Sequence, residues 1–230
     1  MGRTTLLDLD DRRVWLHVPE AEAPDGWACV VFQDGAGFLD PDDDLRAGIV
    51  LGDLVASGSI RPTVGVFVDA AEDRNGEYDA FDATYADLLA DRVLPLVGEH
   101  VHLAEDPSQR TLCGFSSGGN ASLTAAWHRP DSFGAVVGFS SSFPQVCGGN
   151  PFPRLLATEA RRPIRVFLHV GRRDLGWDEP EDNWVAENLR TAAALHEAGY
   201  DVRLELGDGG HDSHDAGVLL PDALRWALRD

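Results

Sequence analysis

The chain has 230 residues, 43% of them hydrophobic, and its 19 basic residues stand against 39 acidic ones for a formal charge of −20. So large an acidic excess excludes a nucleic-acid-binding surface, because no basic patch could outweigh that field. No run of about 18 apolar residues is present, which argues against a membrane span, and the length suits one globular domain over residues 1–230.

The first residues lack the basic and then apolar pattern of a secretory signal, so we expect a cytoplasmic protein. Cys29, Cys113 and Cys147 are an odd number without metal-ligand spacing, so we expect neither a disulfide framework nor a metal site. Nothing in the sequence indicates a cofactor. The sequence is compatible with a homo-oligomer. The acidic composition fits either a GC-rich genome or a high-salt habitat, in which ions would screen the charge.

Short apolar runs rich in Val, Ile and Phe predict buried strands along the chain. In order, they cover residues 13–18, 27–33, 62–69, 110–115, 134–139, 164–171 and 201–206. Because these runs are almost continuously apolar, they are typical of strands that are covered on both faces, as in parallel sheets.

Between the strands, apolar residues recur at spacings of three and four and predict helices. These helices cover 44–57, 84–100, 120–129 and 183–199, and a last one lies near the C-terminus, with Pro221 expected to mark its start. Alternating strands and helices favour an α/β fold, a mostly parallel sheet with helices on both faces. Its chemistry should lie beyond the carboxyl ends of the strands. Residues 140–163 leave little room for a lid.

The stretch GFSSGG at 114–119 directly follows a predicted strand and opens a predicted helix. Its G-x-S-x-G pattern places Ser116 at a strand-to-helix turn, the arrangement of a nucleophile elbow. The turn is so tight that neighbouring Cβ atoms would clash, which explains the glycines at 114 and 118. The alternative is that the serine only caps the helix.

A serine hydroxyl needs a base, because its free pKa leaves it protonated at neutral pH. His211 and His214 lie in the loop after the last predicted strand, and a glycine pair before His211 lets that loop turn back over the elbow. Where such an elbow occurs, the base follows the nucleophile and the acid in chain order. We therefore expect His211 to be the base. His214 is the alternative base or a substrate-binding neighbour, and a metal site with both histidines is a third interpretation.

The base needs a carboxylate that holds its tautomer. Asp174 is the first acid after the predicted strand 164–171, between nucleophile and base in the chain, and we expect it to fill this role. Asp178, Glu179 and Asp182 are alternatives, and the whole loop could be a solvated acidic segment.

An oxyanion hole needs two backbone donors. Ser117, directly after the nucleophile, supplies one amide. The segment QDGAGF after the predicted strand 27–33 is expected to supply the second from Ala36 or Gly37. The alternative is an ordinary Asp-Gly turn.

Together these segments resemble the esterase family that includes enterochelin esterases and esterase D. The resemblance runs from about residue 13 to the C-terminus and rests on VFQDGAGFLD, DRNGEYD, the segment from GFSSGG to GFSSSF, VGRRDLGWDEPEDNW and GGHDSH. It implies an α/β-hydrolase fold with a minimal lid or none, and serine-dependent ester hydrolysis without a metal. It places the family's nucleophile at Ser116, its histidine at His211 and its acid at Asp174.

The family's Arg-plus-Glu-Tyr segment corresponds to Arg74, Glu77 and Tyr78. The resemblance leaves two roles open for it, a wall of the substrate pocket or a buried clamp on a loop. Trp177 and Trp184 near the acid loop could form an aromatic wall for the substrate, or belong to the core.

The sequence thus predicts a serine carboxylic-ester hydrolase whose partner is a small-molecule ester. Siderophore, feruloyl and acetyl-carbohydrate esters all occur as substrates in the family. The alternatives are an acyltransferase with the same residues and a non-catalytic binding protein of the same fold.

Overall fold

The computed structural model describes residues 2–9 and 12–229. Eight strands form one sheet in the order β1-β2-β4-β3-β5-β6-β7-β8. They are β1 (Gly2–Leu9), β2 (Arg12–Pro19), β3 (Ala28–Gln33), β4 (Thr63–Val68), β5 (Arg110–Phe115), β6 (Ala135–Phe139), β7 (Arg165–Gly171) and β8 (Asp201–Gly207). Strands β3 to β8 are parallel to one another, and β2 runs antiparallel to both of its neighbours.

Helices cover both faces of the sheet, each through an apolar stripe. They are α1 (Gly35–Leu39), α2 (Ala47–Ala56), α3 (Arg74–Tyr78), α4 (Thr84–Leu88), α5 (Leu94–Gly98), α6 (Ser117–His128), α7 (Phe152–Thr158), α8 (Trp184–Glu197) and α9 (Ser213–Ala227). Helices α3 to α8 contribute to one buried cluster, and α1, α2 and α9 to a second on the opposite face. The predicted α/β architecture is therefore confirmed.

The sequence prediction missed strand β1 and the short helices α1, α3 and α7. Strand β1 was missed because its GRTTLLDL sequence has no continuous apolar run; it is an edge strand, mostly exposed, that pairs only with β2. The predicted helix 84–100 is α4 and α5 joined by a π-helical turn, Leu89–Val93.

The expectation that Pro221 starts the last helix is wrong. Helix α9 begins at Ser213, where the Asp212 side chain accepts a hydrogen bond from the backbone of His214, and Pro221 lies in its interior. A proline there forfeits a backbone hydrogen bond at a cost of about 3 kcal/mol. The fully buried apolar face of α9 continues on both sides of it, from Ala216 to Ala227, and burial of several such side chains offsets that cost.

The sheet order brings the carboxyl ends of β5, β6, β7 and β8 side by side at one edge. Between β6 and β7 the described residues form only a short 3₁₀ turn, Phe143–Gln145, and helix α7, so this connection contributes no lid domain. Among the residues that the structure describes, no helix is long and apolar enough to cross a bilayer.

Candidate active site

Ser116 lies on a strained turn between β5 and α6. Its backbone has φ 57° and ψ −126°, a conformation that residues with a side chain rarely adopt and that is retained where the surroundings enforce it. A Cβ at Gly114 would lie inside contact distance of the Gly118 carbonyl and 2.8 Å from the Gly119 nitrogen, so the turn requires glycine there. The Ser116 side chain makes no capping hydrogen bond to α6, and the helix-cap interpretation is therefore wrong.

The structure brings Ser116, His211 and Asp174 together, although 95 residues separate the first two. Ser116 Oγ lies 2.9 Å from His211 Nε2, and His211 Nδ1 lies 2.6 Å from Asp174 Oδ1. Because a carboxylate only accepts, Nδ1 carries the imidazole proton and Nε2 is free to accept one from the serine. Asp174 is fully buried, and the same Oδ1 also accepts the Leu175 backbone N–H at 2.7 Å. The alternative acids Asp178, Glu179 and Asp182 are exposed.

The loop that carries His211 is fastened to the end of β7. The backbone N–H groups of Arg172 and Arg173 donate to the carbonyls of Gly207 and Gly209. The His211 ring packs 4.9 Å from that of Phe115 at the end of β5, which turns the imidazole toward the elbow.

His214 does not join this group. It lies on the first turn of α9 with its side chain 71% exposed, and its Nδ1 lies 3.4 Å from a carboxylate oxygen of Asp44. The expectation that it binds substrate or serves as the base is therefore not supported by its position. Within residues 2–9 and 12–229, no three His, Cys, Asp or Glu side chains converge in a way that could hold a metal ion.

The expected oxyanion donors have different environments. Ser117 is the first residue of α6, so its amide has no partner within the helix. The amide of Ala36 instead donates to Asp69 Oδ1 at 2.9 Å, and that of Gly37 donates to the Asp34 carbonyl at 2.9 Å. Both amides expected to supply the second donor are thus already engaged, that of Ala36 by a carboxylate after β4 and that of Gly37 within its own loop. This part of the sequence prediction is not supported by the geometry.

Of the two roles open for the Arg-plus-Glu-Tyr segment, the structure supports the loop clamp. Arg74 forms two hydrogen bonds, 2.6 and 2.8 Å long, to the carboxylate of Asp34, and the Tyr78 hydroxyl accepts the Asp34 backbone N–H at 3.1 Å. Asp34 directly follows β3 and precedes α1 with a left-handed φ of 54°, and the clamp holds it there. Glu77 points elsewhere, to Arg12 and to the Ala71 amide. Burial raises the pKa of Tyr78, so its hydroxyl stays protonated.

The two candidate tryptophans differ in their exposure to solvent. Trp177 is 52% exposed on the acid loop, and its role as a substrate wall stays a prediction. Trp184 is buried, which favours the core alternative for it, and its indole Nε1–H donates to Ser142 Oγ at 3.1 Å. Ser142 Oγ in turn lies 2.9 Å from Ser116 Oγ. Sequence reasoning missed Ser142, although its position just after β6, at the active edge of the sheet, was an available signal.

Comparison with known proteins gives consistent matches. The family model described as "Putative esterase" matches residues 9–227. An iron(III) enterobactin esterase from Dickeya dadantii is 31% identical over 99% of this chain and 55% of its own length. The enterobactin esterase from Shigella flexneri, solved in the presence of enterobactin, superposes with a TM-score of 0.82 at 22% identity over 99% of this chain and 58% of that one.

A ferulic acid esterase structure superposes with a TM-score of 0.79 at 18% identity and covers all of this chain and 98% of its own. At such identities the structural matches establish the α/β-hydrolase fold alone. The chain spans about half the length of the curated relatives it matches.

Proposed function

The chain belongs to this esterase family, and we propose that it is a serine carboxylic-ester hydrolase that acts through Ser116, His211 and Asp174. The observation that carries the proposal is the unbroken pair of hydrogen bonds, 2.9 and 2.6 Å long, that joins the serine hydroxyl to the imidazole and the imidazole to a buried carboxylate. That pattern is the arrangement of a nucleophile with its base and the group that orients the base.

In the first half-reaction, Ser116 Oγ forms a bond to the ester carbonyl carbon while its proton passes to His211 Nε2. The carbonyl π electrons move onto the oxygen, and the Ser117 amide donates a hydrogen bond to the resulting oxyanion. When the oxyanion collapses, the bond to the alcohol oxygen breaks, and His211 returns the proton to that oxygen. The products are the free alcohol and an acyl group on Ser116.

In the second half-reaction, water takes the place of the serine. His211 accepts a proton from water as its oxygen bonds to the acyl carbon, and the intermediate collapses with release of Ser116 Oγ, which regains the proton from His211. In both halves Asp174 stabilises the imidazolium. Because Asp174 is fully buried, water screens this interaction weakly.

The ester class that we propose is a catecholate trilactone of the siderophore type, because the curated relative from Dickeya dadantii is an iron(III) enterobactin esterase. A formal charge of −20 disfavours an anionic ferric complex. Two arginines near the site are already paired, Arg74 with Asp34 and Arg172 with Asp208. We therefore expect the iron-free ester to be the better substrate, as judged by kcat/KM for the two forms measured at low and high salt.

The test of the reaction type is hydrolysis of p-nitrophenyl acetate by the wild type, Ser116→Ala and a matched control, Ser59→Ala, which alters an exposed serine in the turn after α2. We expect Ser116→Ala to lower kcat by several orders of magnitude and Ser59→Ala to leave it unchanged. Undiminished hydrolysis by a folded Ser116→Ala variant would rule the assignment out.

A further inference from the structure

A hydrogen-bonded chain extends beyond the nucleophile, away from the bond to His211 and through Ser142 to Trp184. Trp184 Nε1–H donates to Ser142 Oγ at 3.1 Å, and Ser142 Oγ lies 2.9 Å from Ser116 Oγ. We propose that Ser142 is a further catalytic residue, whose hydroxyl donates a hydrogen bond to the reacting oxygen of Ser116, and that Trp184 is a positioning residue that directs it. This inference rests on the proposed function, since it concerns the same nucleophile.

The direction of every hydrogen bond in this chain follows from the groups at its two ends. An indole N–H can only donate, and a carboxylate can only accept. Ser142 Oγ therefore accepts from Trp184, and Asp174 accepts from His211 Nδ1. Between these two ends, the two remaining acceptors are Ser116 Oγ and His211 Nε2. Both receive a hydrogen bond only if the Ser142 hydroxyl donates to Ser116 Oγ and the Ser116 hydroxyl donates to His211 Nε2. The tryptophan thus fixes the direction in which the Ser142 proton points.

Ser142 is held firmly in this position. It is 1% exposed, and its backbone N–H donates to the Ser116 carbonyl at 3.0 Å, so its backbone and its side chain are both tied to the elbow. The Trp184 amide donates to the Leu175 carbonyl, next to the acid, and the indole packs edge-on at 6.0 Å from His211. One buried tryptophan therefore contacts the base and the Ser142 hydroxyl together.

The hydrogen bond from Ser142 matters when charge develops on Ser116 Oγ. As the serine proton moves to His211, negative charge grows on Oγ, and a hydrogen bond to a charged acceptor is about twice as strong as one to a neutral acceptor. The same holds in deacylation, when the bond between Oγ and the acyl carbon breaks and the electron pair returns to Oγ. Ser142 keeps its own proton throughout; it stabilises the charge and takes part in no net transfer.

The neighbouring Ser141 provides a matched comparison. Its hydroxyl is fully buried too, but it has no hydrogen-bond partner among the described residues. A serine at 142 that served packing alone would be expected to behave like Ser141 when its hydroxyl is removed.

The test is a double-mutant cycle on kcat and KM with p-nitrophenyl acetate, using Ser142→Ala, Trp184→Phe and the double variant, with Ser141→Ala as control. We expect Ser142→Ala to lower kcat about 10-fold, the usual effect of losing a hydrogen bond to a developing charge. Trp184→Phe, which keeps a ring beside His211, should lower kcat about threefold. KM should change little in either variant, and Ser141→Ala should match the wild type.

Because Trp184 acts through Ser142, the double variant should be no slower than Ser142→Ala alone. Losses that multiply, or wild-type kcat in Ser142→Ala, would overturn the proposal. If Ser142→Ala fails to fold, kcat of Trp184→Phe alone tests the proposal. A Trp184→Phe kcat equal to that of the wild type would then overturn the proposal. Undiminished hydrolysis by Ser116→Ala would reject the proposed function itself. An inactive Ser116→Ala variant together with a fully active Ser142→Ala variant would reject this inference alone.

Discussion

Replacement of Gly114 by alanine should damage both the fold and the site. The added Cβ would lie 2.8 Å from the Gly119 nitrogen and closer still to the Gly118 carbonyl oxygen, both backbone atoms of α6. Ordinary van der Waals contact needs about 3.5 Å, so the first turn of α6 must move away from β5 by something near 1 Å. Overpacking of this kind costs about 1–3 kcal/mol or more of the free energy of unfolding.

The same displacement would carry the Ser117 amide and Ser116 Oγ away from their partners. A misplacement of about 1 Å costs on the order of 100-fold in rate, and we expect that loss in kcat for Gly114→Ala. Gly52→Ala is the matched control, because Gly52 lies inside α2 with nothing within 4 Å of an added Cβ. It should gain about 0.5–1 kcal/mol from the lower helix cost of alanine.

Urea denaturation followed by circular dichroism gives the free energy of unfolding for both variants, and steady-state hydrolysis gives kcat. Gly114→Ala should shift the urea midpoint down and Gly52→Ala should shift it up. A Gly114→Ala protein with wild-type stability and wild-type kcat would refute the reasoning that close packing fixes the elbow.

Three further outcomes are expected. Asp174→Asn should lower kcat by about 10³–10⁴, because the amide no longer holds the correct imidazole tautomer, with little change in thermal midpoint; a loss below 10-fold would contradict the role of this carboxylate. Tyr78→Phe leaves the Asp34 N–H without its acceptor and should cost about 1–3 kcal/mol in urea denaturation, and an unchanged midpoint would show that the clamp is dispensable. Burial lowers the pKa of His169 below its ordinary value of 6.5, so this histidine takes up its proton at a higher pH in the unfolded chain than in the folded protein. The free energy of unfolding of the wild type should therefore fall below about pH 6.5, by up to about 1.4 kcal/mol per pH unit for this group. In denaturation measured at several pH values, His169→Leu should show a weaker dependence of this free energy on pH.

The buried strands and the site residues next to them could be predicted because each signal is local. An apolar run predicts a strand, and the first chemically competent side chain after it lies at the active edge of the sheet. That reasoning places Ser116, Asp174 and His211 at the ends of β5, β7 and β8, where the structure has them. Strand β1 was missed because a solvated edge strand carries no continuous apolar pattern.

Contacts between distant parts of the chain could not be predicted from local sequence patterns. The engagement of the Ala36 amide depends on Asp69, a residue 33 positions later, and no local pattern reports it. The bond from Trp184 to Ser142 spans 42 positions, and a tryptophan at the start of a predicted helix fits a substrate wall as well as a buried donor. The interior place of Pro221 depends on packing against the sheet, which outweighs the local tendency of proline to end a helix.

The central claim is that Ser116 is a nucleophile activated by His211. Its most direct test is reaction of the folded protein with a fluorophosphonate probe, followed by intact mass and peptide mapping. We expect one probe per chain, attached to Ser116, with labelling abolished in Ser116→Ala and slowed by orders of magnitude in His211→Gln. A folded protein that stays unlabelled, or that carries the probe on another residue, would contradict the account.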